Sequence, residues 1–205
     1  MPQTRLTRTV PPVRWNELLG DASGATPFHR FECLELLADR TGASLHPFVG
    51  YQDGRPIGLF PVFERSRGPV TTLFSPVPDL KVQYLGPVTV PLADLSRAER
   101  ERRHWSFVEA VLSCFERWFS PSYVHVRTSD RFSDPRPFAW QGFDLVPRHS
   151  YVVDLRHDPE DLLAAFSSDA RSNVRDARDD DRVTVAEGGA DAIERIIGQV
   201  IERHE

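Results

Sequence analysis

The chain has 205 residues, of which 40% are hydrophobic, and its formal net charge is −5 at neutral pH. This apolar fraction is enough for a folded core, whereas the acidic balance argues against a general nucleic-acid-binding surface. No stretch approaches the roughly 18 consecutive apolar residues that a membrane span needs, and the polar first residues lack the apolar run of a signal peptide. We therefore expect a cytoplasmic protein that has no membrane span and binds no DNA.

The first 74 residues alternate between helical and β-rich patterns. In chain order, these patterns predict a strand (5–10), two helices (13–21 and 28–39) and three strands (45–51, 56–64 and 70–74). Gly42 ends the second helix, because glycine readily adopts the left-handed conformation found after a helix. The dipeptide Asp53-Gly54 lies between two β-rich runs, which is a strong hairpin signal. This part of the chain therefore predicts two helices followed by an antiparallel meander.

From residue 75 onward, proline-rich loops separate one long helix from shorter elements. The patterns predict a short strand (82–85), a long helix (94 or 96 to 119), strands (123–127 and one or two within 144–155), a helical pair (159–166 and 168–180), a strand (183–187) and a last helix from about 191. The segment 131–143 is predicted as an irregular loop, with Phe138, Trp140 and Phe143 in the core. The order of the elements indicates an α/β or α+β fold, with helices flanking a mixed and largely antiparallel sheet.

The end of the sequence repeats an order seen at its start. Residues 182–200 have the strand, turn and helix order of residues 5–20, which by itself is a weak internal repeat. The last helix then runs to Glu205 with no cap and no following strand to pack on. We therefore expect that a second, similar domain begins at residue 182 and that this sequence stops before completing it.

Five strings in this order resemble a known superfamily. They are TPFHRFECLELL (26–37), IGLFPVF (57–63), FSPVPDLKVQYLGPV (74–88), DPRPFAWQGF (134–143), and YVVDL followed by ARSNVRDA (151–155 and 170–177). Together they resemble the GNAT acyltransferases in their doubled form, and they are most similar to the Fem-type aminoacyltransferase branch and its relatives. The resemblance implies a first GNAT-like domain over 1–150, a strand and helical connector over 151–181, and the beginning of a truncated second domain over 182–205.

The resemblance also implies an enzyme that transfers an acyl or aminoacyl group to a small-molecule or peptide amine. Fem-type enzymes use aminoacyl-tRNA as donor and a cell-wall peptide precursor as acceptor, and more distant relatives use acyl-coenzyme A. We expect this chain to supply mainly the acceptor-binding half, to be inactive alone and to hold no tightly bound cofactor. Two alternatives remain open: an acyl-coenzyme A-dependent N-acetyltransferase of the same fold, and a non-catalytic GNAT-like binding module.

One string departs from the superfamily's pattern. GNAT enzymes that use acetyl-coenzyme A hold its pyrophosphate on the backbone amides of a (Q/R)-x-x-G-x-(G/A) loop. The nearest string here is QYLGPV (83–88), which has Val88 at the last position and Pro87 inside the loop. Because proline has no N–H group to donate, we expect no phosphate-binding nest in the first domain.

Three arginines form a row on the helix predicted over 168–180. Arg175 has Asp179 four residues on and Arg178 has Asp181 three residues on, so both are expected to form local ion pairs. Arg171 has no carboxylate at helical spacing, so its charge must go to water, to another segment or to an anionic ligand. The resemblance implies that this connector contacts a phosphate-bearing acceptor, which makes Arg171 and Arg175 candidate substrate-binding residues.

Four further residues are candidates for substrate binding, and each has a structural alternative. His29 precedes the second helix where the family places acceptor contacts, but it could equally cap that helix. Tyr84 and Tyr151 could each place a hydroxyl in a cleft, or they could be half-buried strand tyrosines. Arg136 follows Asp134 in a loop, where the two residues are expected to form an ion pair.

The two cysteines carry no predicted redox or metal chemistry. Cys33 and Cys114 both lie in helical patterns with apolar neighbours, which is typical of buried free thiols. His29 and Cys33 share a helical face, yet no further ligand pattern accompanies them. The sequence therefore predicts no metal site.

Overall fold

A computed structural model of the chain describes residues 3–78, 80–132 and 134–203. The chain divides into two compact units, Met1–Pro147 and Arg148–Glu205. The first unit contains a mixed, mostly antiparallel sheet with helices on it, and the second is helical. The predicted α+β class with a mixed, largely antiparallel sheet is therefore confirmed. No helix of the described part is both long and apolar enough to cross a lipid bilayer.

The sheet of the first unit has the strand order β1-β2-β3-β4-β6, with β5 paired to β3. Its strands are β1 (Arg5–Thr7), β2 (Ser44–Gln52), β3 (Arg55–Arg67), β4 (Val70–Ser75), β5 (Val88–Thr89) and β6 (Tyr123–Val126). All pairs are antiparallel except β4 with β6, which run parallel. Parallel neighbours need a crossover connection, and here the long helix between them supplies it.

The β2–β3 hairpin forms where the sequence predicts it. Gln52 pairs with Arg55, so Asp53 and Gly54 are the two turn residues. Their φ angles are 50° and 75°, as a type I′ turn requires, and Asp and Gly are residues that adopt this conformation readily. The turn therefore sets the register of the two longest strands.

The first unit has four α-helices, of which three lie close to their predicted positions and the fourth, α4, was not predicted. They are α1 (Pro12–Gly20), α2 (Phe31–Thr41), α3 (Arg97–Phe119) and α4 (Arg136–Trp140). Helix α3 starts at a capping box in which Ser96 accepts from the amide of Glu99 and the Glu99 carboxylate accepts from the amide of Ser96. A short 3₁₀ helix, Pro27–His29, precedes α2.

The core has two parts, one on each face of the sheet. On one face, Trp15 and Leu34 from α1 and α2 belong to a buried cluster with Leu59 of β3. On the other face, Phe107 and Phe115 of α3 belong to a second cluster with strand residues that include Phe48 and Phe60. Neighbouring residues such as Leu59 and Phe60 point to opposite faces, as the period of a strand requires. The sheet is therefore covered on both sides.

Three sequence-based predictions of local structure between residues 82 and 155 are wrong. The segment 144–155 forms no strand, and the segment 82–85 contributes only an isolated bridge from Leu85 to Thr128. The predicted loop at 131–143 contains α4, which has a proline in its first turn, where the missing N–H costs nothing. Tyr151 is 99% exposed, so the alternating pattern around it has no sheet edge on which to pair.

The second unit consists of α5 (Pro159–Ala164), α6 (Ser168–Asp179) and α7 (Ala190–Glu202). These bounds confirm the predicted helical pair and the last helix. The strand predicted over 183–187 is absent, and Val185 is 94% exposed. The interpretation of residues 182–205 as the beginning of a second GNAT-like domain stays a prediction, and it now lacks the strand on which the repeat partly rested.

Candidate functional site

A cavity of about 470 Å³ lies in the first unit, between α3, β5 and the segment that follows β6. We call it the α3 cleft. One stripe of α3 lines it, formed by Arg97, Glu101, His104, Trp105 and Val108, and the opposite side is formed by residues 131, 132 and 134–137 with Thr89. The α3 residues recur at helical spacing and so share one face of the helix. The cavity brings one histidine together with three arginines and two carboxylates.

An ion pair and an indole form one side of the α3 cleft. The guanidinium of Arg136 donates to both carboxylate oxygens of Asp134, at 2.7 Å from Nε and 2.9 Å from Nη2. The indole N–H of Trp105 donates to the same carboxylate, and Cζ of Arg136 lies 4.6 Å from the Trp105 ring centroid. These hydrogen bonds lower the pKa of Asp134, and the bond from Arg136 has the largest effect. The predicted Asp134–Arg136 pair is confirmed.

The aromatic residues of the segment 131–143 divide between the core and the surface. Phe138 is buried, and Phe143 packs partly buried against the same cluster, as predicted. Trp140 was predicted in the core, but it is 55% exposed and meets the edge of Trp105 at 5.4 Å between ring centroids. Helix α4 is only five residues long, so its one buried face is occupied by Phe138 and its neighbours.

His104 is held as a neutral imidazole in the α3 cleft. Burial lowers its pKa below the ordinary value of 6.5, and the main-chain hydrogen bond with Val90 opposes this shift only in part. Its Nε2 is buried and has no hydrogen-bond partner. An unpaired buried nitrogen is costly for stability, so Nε2 is the polar atom of this side chain that has a bond left to make.

The charges of the α3 cleft do not balance. Arg97 pairs with Glu101 at 2.8 Å, and Arg136 pairs with Asp134. Arg131 forms no ion pair with any residue that the structure describes. The cleft is therefore lined by two carboxylates and three guanidinium groups, and the exposed Arg131 is the arginine left without a carboxylate partner among the described residues.

Two candidates from the sequence, His29 and Tyr84, lie in the first unit but do not line the α3 cleft. His29 is 0% exposed, and its Nδ1 accepts a hydrogen bond from the amide of Thr26 at 3.2 Å. Its main-chain oxygen accepts from the indole of Trp15 at 2.7 Å, and burial lowers its pKa to about 4. His29 therefore does not cap α2, whose N-cap residue Arg30 has no side-chain cap bond; its ring completes the capping box of the 3₁₀ helix with Thr26. Tyr84 is exposed.

The other four candidates are divided between the two units. Arg136 lines the α3 cleft, whereas Arg171, Arg175 and Tyr151 lie in the second unit. Arg171 has local partners that the sequence analysis missed: its Nη1 donates to the carbonyls of Ala164 and Phe166, at 3.1 and 2.5 Å. These carbonyls lie at the end of α5 and just after it, where helical acceptors are left unpaired.

The local ion pairs predicted for the arginine row of α6 are not formed. Neither Arg175 with Asp179 nor Arg178 with Asp181 is paired in the described part of the second unit. Instead, the guanidinium of Arg182 donates to the carboxylate of Asp180 at 2.8 Å.

Sequence reasoning did not find His104, Trp105 or Arg131. A usable signal was present in α3, because residues 97, 101, 104, 105 and 108 share one helical face and mix charged, aromatic and apolar side chains. Arg131 gave no such signal, since its segment meets α3 only through the fold. No group of three His, Cys, Asp or Glu side chains within residues 3–78, 80–132 and 134–203 lies close enough to hold a metal ion.

No protein-family model matches this sequence, and a search of curated proteins finds no match. The function therefore has to be argued from the order of the elements and from the chemistry of the α3 cleft.

Proposed function

We propose that this protein is an acyltransferase that moves an activated acyl or aminoacyl group to an amine, and that this chain supplies mainly the acceptor-binding half. The observation that supports the proposal most is the order strand, two helices, three longer strands, the two-residue strand β5, long helix and strand in the first unit. This is the order on which the resemblance to GNAT acyltransferases rests.

The α3 cleft is the acceptor site in this proposal. An amine attacks an activated carbonyl only when it is neutral, so the site needs a group that takes up its proton. His104 suits this role because burial keeps its imidazole uncharged, with an Nε2 that has no partner in the described structure. Glu101 and Asp134 suit it less, since each carboxylate is already paired with an arginine.

The proposed step is direct transfer. The amine nitrogen attacks the carbonyl carbon of the donor, the new C–N bond forms, and the C–S bond of a thioester or the C–O bond of an ester breaks. The leaving thiolate or alkoxide keeps the bonding electron pair, and His104 Nε2 accepts the proton lost by the nitrogen. The Trp105–Asp134–Arg136 group keeps one side of the cleft in place, so Arg136 acts by positioning its neighbours.

The donor does not bind at the loop that follows β4. The amide of Gly86 donates to the hydroxyl of Ser75 at 3.0 Å, and the amide of Leu85 donates to the carbonyl of Arg127 at 2.8 Å. Pro87 has no amide hydrogen. Because these backbone groups are already used, the loop has no row of free amides for a pyrophosphate. Either acyl-coenzyme A or aminoacyl-tRNA would need another site, and both occur in the cytoplasm.

The test is product formation with each class of donor. Because the chain is expected to be inactive alone, the full-length enzyme that contains it would be mixed with acetyl-coenzyme A or with a pool of aminoacyl-tRNA, together with a set of small amines and peptides. The products would be identified by mass spectrometry. The proposal predicts an amine whose mass increases by the acyl group. Calorimetry on the protein with each donor separates the two classes, because only the true donor binds. If neither donor binds and no amine is acylated, the proposal is wrong and a binding module is favoured.

A further inference from the structure

We infer that the α3 cleft recognises a single carboxylate on its ligand, and that Arg131 binds it. The ligand class is a carboxylate-bearing amine, such as an amino acid or the C-terminal residue of a peptide. The assignment of this ligand as the acceptor rests on the proposed function, whereas the carboxylate site itself does not.

The argument starts from the surplus charge. Arg97 pairs with Glu101, and Arg136 pairs with Asp134 through its Nε and Nη2 groups. Because His104 is neutral, it adds no further positive charge. The cleft therefore has one uncompensated positive charge, and a ligand with one negative charge would balance it. A doubly charged phosphate would leave one negative charge in excess beside two carboxylates.

The geometry of Arg131 also suits a carboxylate. A guanidinium presents two parallel N–H groups that match the two oxygens of a carboxylate, and such pairs are stronger than neutral hydrogen bonds. Arg136 binds Asp134 in this way within the same cleft. The difference is that Arg131 has no carboxylate of its own in the part of the chain that the structure describes.

The backbone holds Arg131 in place. The amide of Phe132 donates to the carbonyl of Ser129 at 3.1 Å, which closes a turn around Arg131. Gly24 approaches from the other side, where a Cβ atom would lie 3.1 Å from Cβ of Arg131. The amide of Ser23 in turn donates to the carbonyl of Thr89, another residue that lines the cleft. A fixed backbone reduces the entropy lost when the side chain binds a ligand.

The surroundings of Arg131 limit the rest of the ligand. Phe132, Pro135, Pro137 and Trp105 also line the cleft, so the group next to the carboxylate can contact apolar side chains as well as charged ones. His104 lies in the same cleft, as expected if an amine and a carboxylate of one ligand bind together. A compact amino acid satisfies both requirements.

The test is a nuclear magnetic resonance titration that follows the four tryptophan indole N–H signals of the ¹⁵N-labelled protein. The probe is N-acetylglycine, which has one carboxylate and no reactive amine. Its neutral analogue, N-acetylglycinamide, and inorganic phosphate are titrated separately. The Trp105 signal reports on the cleft, and the Trp15 signal reports on the buried core and shows that the protein stays folded.

The inference predicts that N-acetylglycine shifts the Trp105 signal in a saturable way and leaves the Trp15 signal in place. Arg131→Ala should weaken this binding about tenfold, as the loss of a charge-assisted hydrogen bond implies. Arg131→Lys should retain part of it, because the charge remains. Arg102→Ala removes an exposed arginine of α3 that does not line the cleft, and this variant should bind like the wild type.

Three results would overturn the inference: equal binding of the neutral analogue, tighter binding of phosphate, or unchanged binding by Arg131→Ala. These results are distinct from a failure of the proposed function. Carboxylate binding without acyl transfer to any amine would keep the carboxylate site and reject the enzyme. Acyl transfer to neutral amines, with no carboxylate binding, would do the reverse.

Discussion

The close contact between α3 and the sheet provides a quantitative test of the fold. Gly50 and Gly58 face each other in β2 and β3, and the ring of Phe107 lies against both. A Cβ atom on Gly58 would lie 2.4 Å from Cε1 and 2.5 Å from Cδ1 of Phe107. Carbon atoms pack best at about 3.5–4.0 Å, so the ring would have to move by roughly 1 Å. Such overpacking costs about 1–3 kcal/mol, and we expect Gly58→Ala to lower the free energy of unfolding by this amount.

Urea unfolding followed by tryptophan fluorescence measures this loss. The matched control is Gly20→Ala at the end of α1, where an added Cβ meets nothing within 4 Å. The control should be neutral or more stable by up to about 1 kcal/mol, because alanine favours helix more than glycine does. Equal stabilities of Gly58→Ala and the wild type would refute the close packing of α3, on which the position of His104 depends.

Three further predictions concern a pKa, an indole and a guanidinium. Between pH 6.5 and about 4 the unfolded chain protonates His29 more readily than the folded one does, so stability falls by about 3 kcal/mol as the pH drops. His29→Gln should remove this part of the pH dependence, and an unchanged slope of unfolding free energy against pH would contradict the prediction. Trp105→Phe removes the hydrogen bond to Asp134 and should cost about 1.5 kcal/mol in urea unfolding; no loss would count against that bond. Arg171→Ala frees two carbonyls at the end of α5 and should speed amide exchange in α5 and α6, whereas unchanged exchange would reject the contact. The same variant should raise the acceptor's KM if Arg171 also binds the acceptor, and unchanged kinetics would reject that role.

Elements with local signals were predictable from the sequence. The Asp53-Gly54 turn has two residues with positive φ, and the capping box at Ser96 and Glu99 marks the start of α3. The strands predicted near Tyr151 and over 183–187 failed for the opposite reason. Their patterns suit a strand, but a strand also needs a neighbouring edge, which a pattern cannot supply.

The candidate site was harder to predict, because it depends on contacts between distant segments. His104 and Arg131 belong to the same cleft only once α3 has packed on the sheet. Arg171 shows a second reason why side-chain partners are hard to predict from the sequence. Counting carboxylates three and four residues away overlooked the backbone carbonyls of α5, which are acceptors as good as any side chain at a helix end.

The most direct test of the account is the steady-state kinetics of acyl transfer by the full-length enzyme that contains this chain, as wild type, His104→Gln and Arg131→Ala. The account predicts that His104→Gln lowers kcat about a hundredfold with little change in the acceptor's KM, since it removes the proton acceptor. Arg131→Ala should instead raise KM for a carboxylate-bearing amine. His157→Gln, which alters an exposed histidine of the second unit, serves as the control. A His104→Gln enzyme with the kcat of the wild type would contradict the claim that the α3 cleft is the site of transfer.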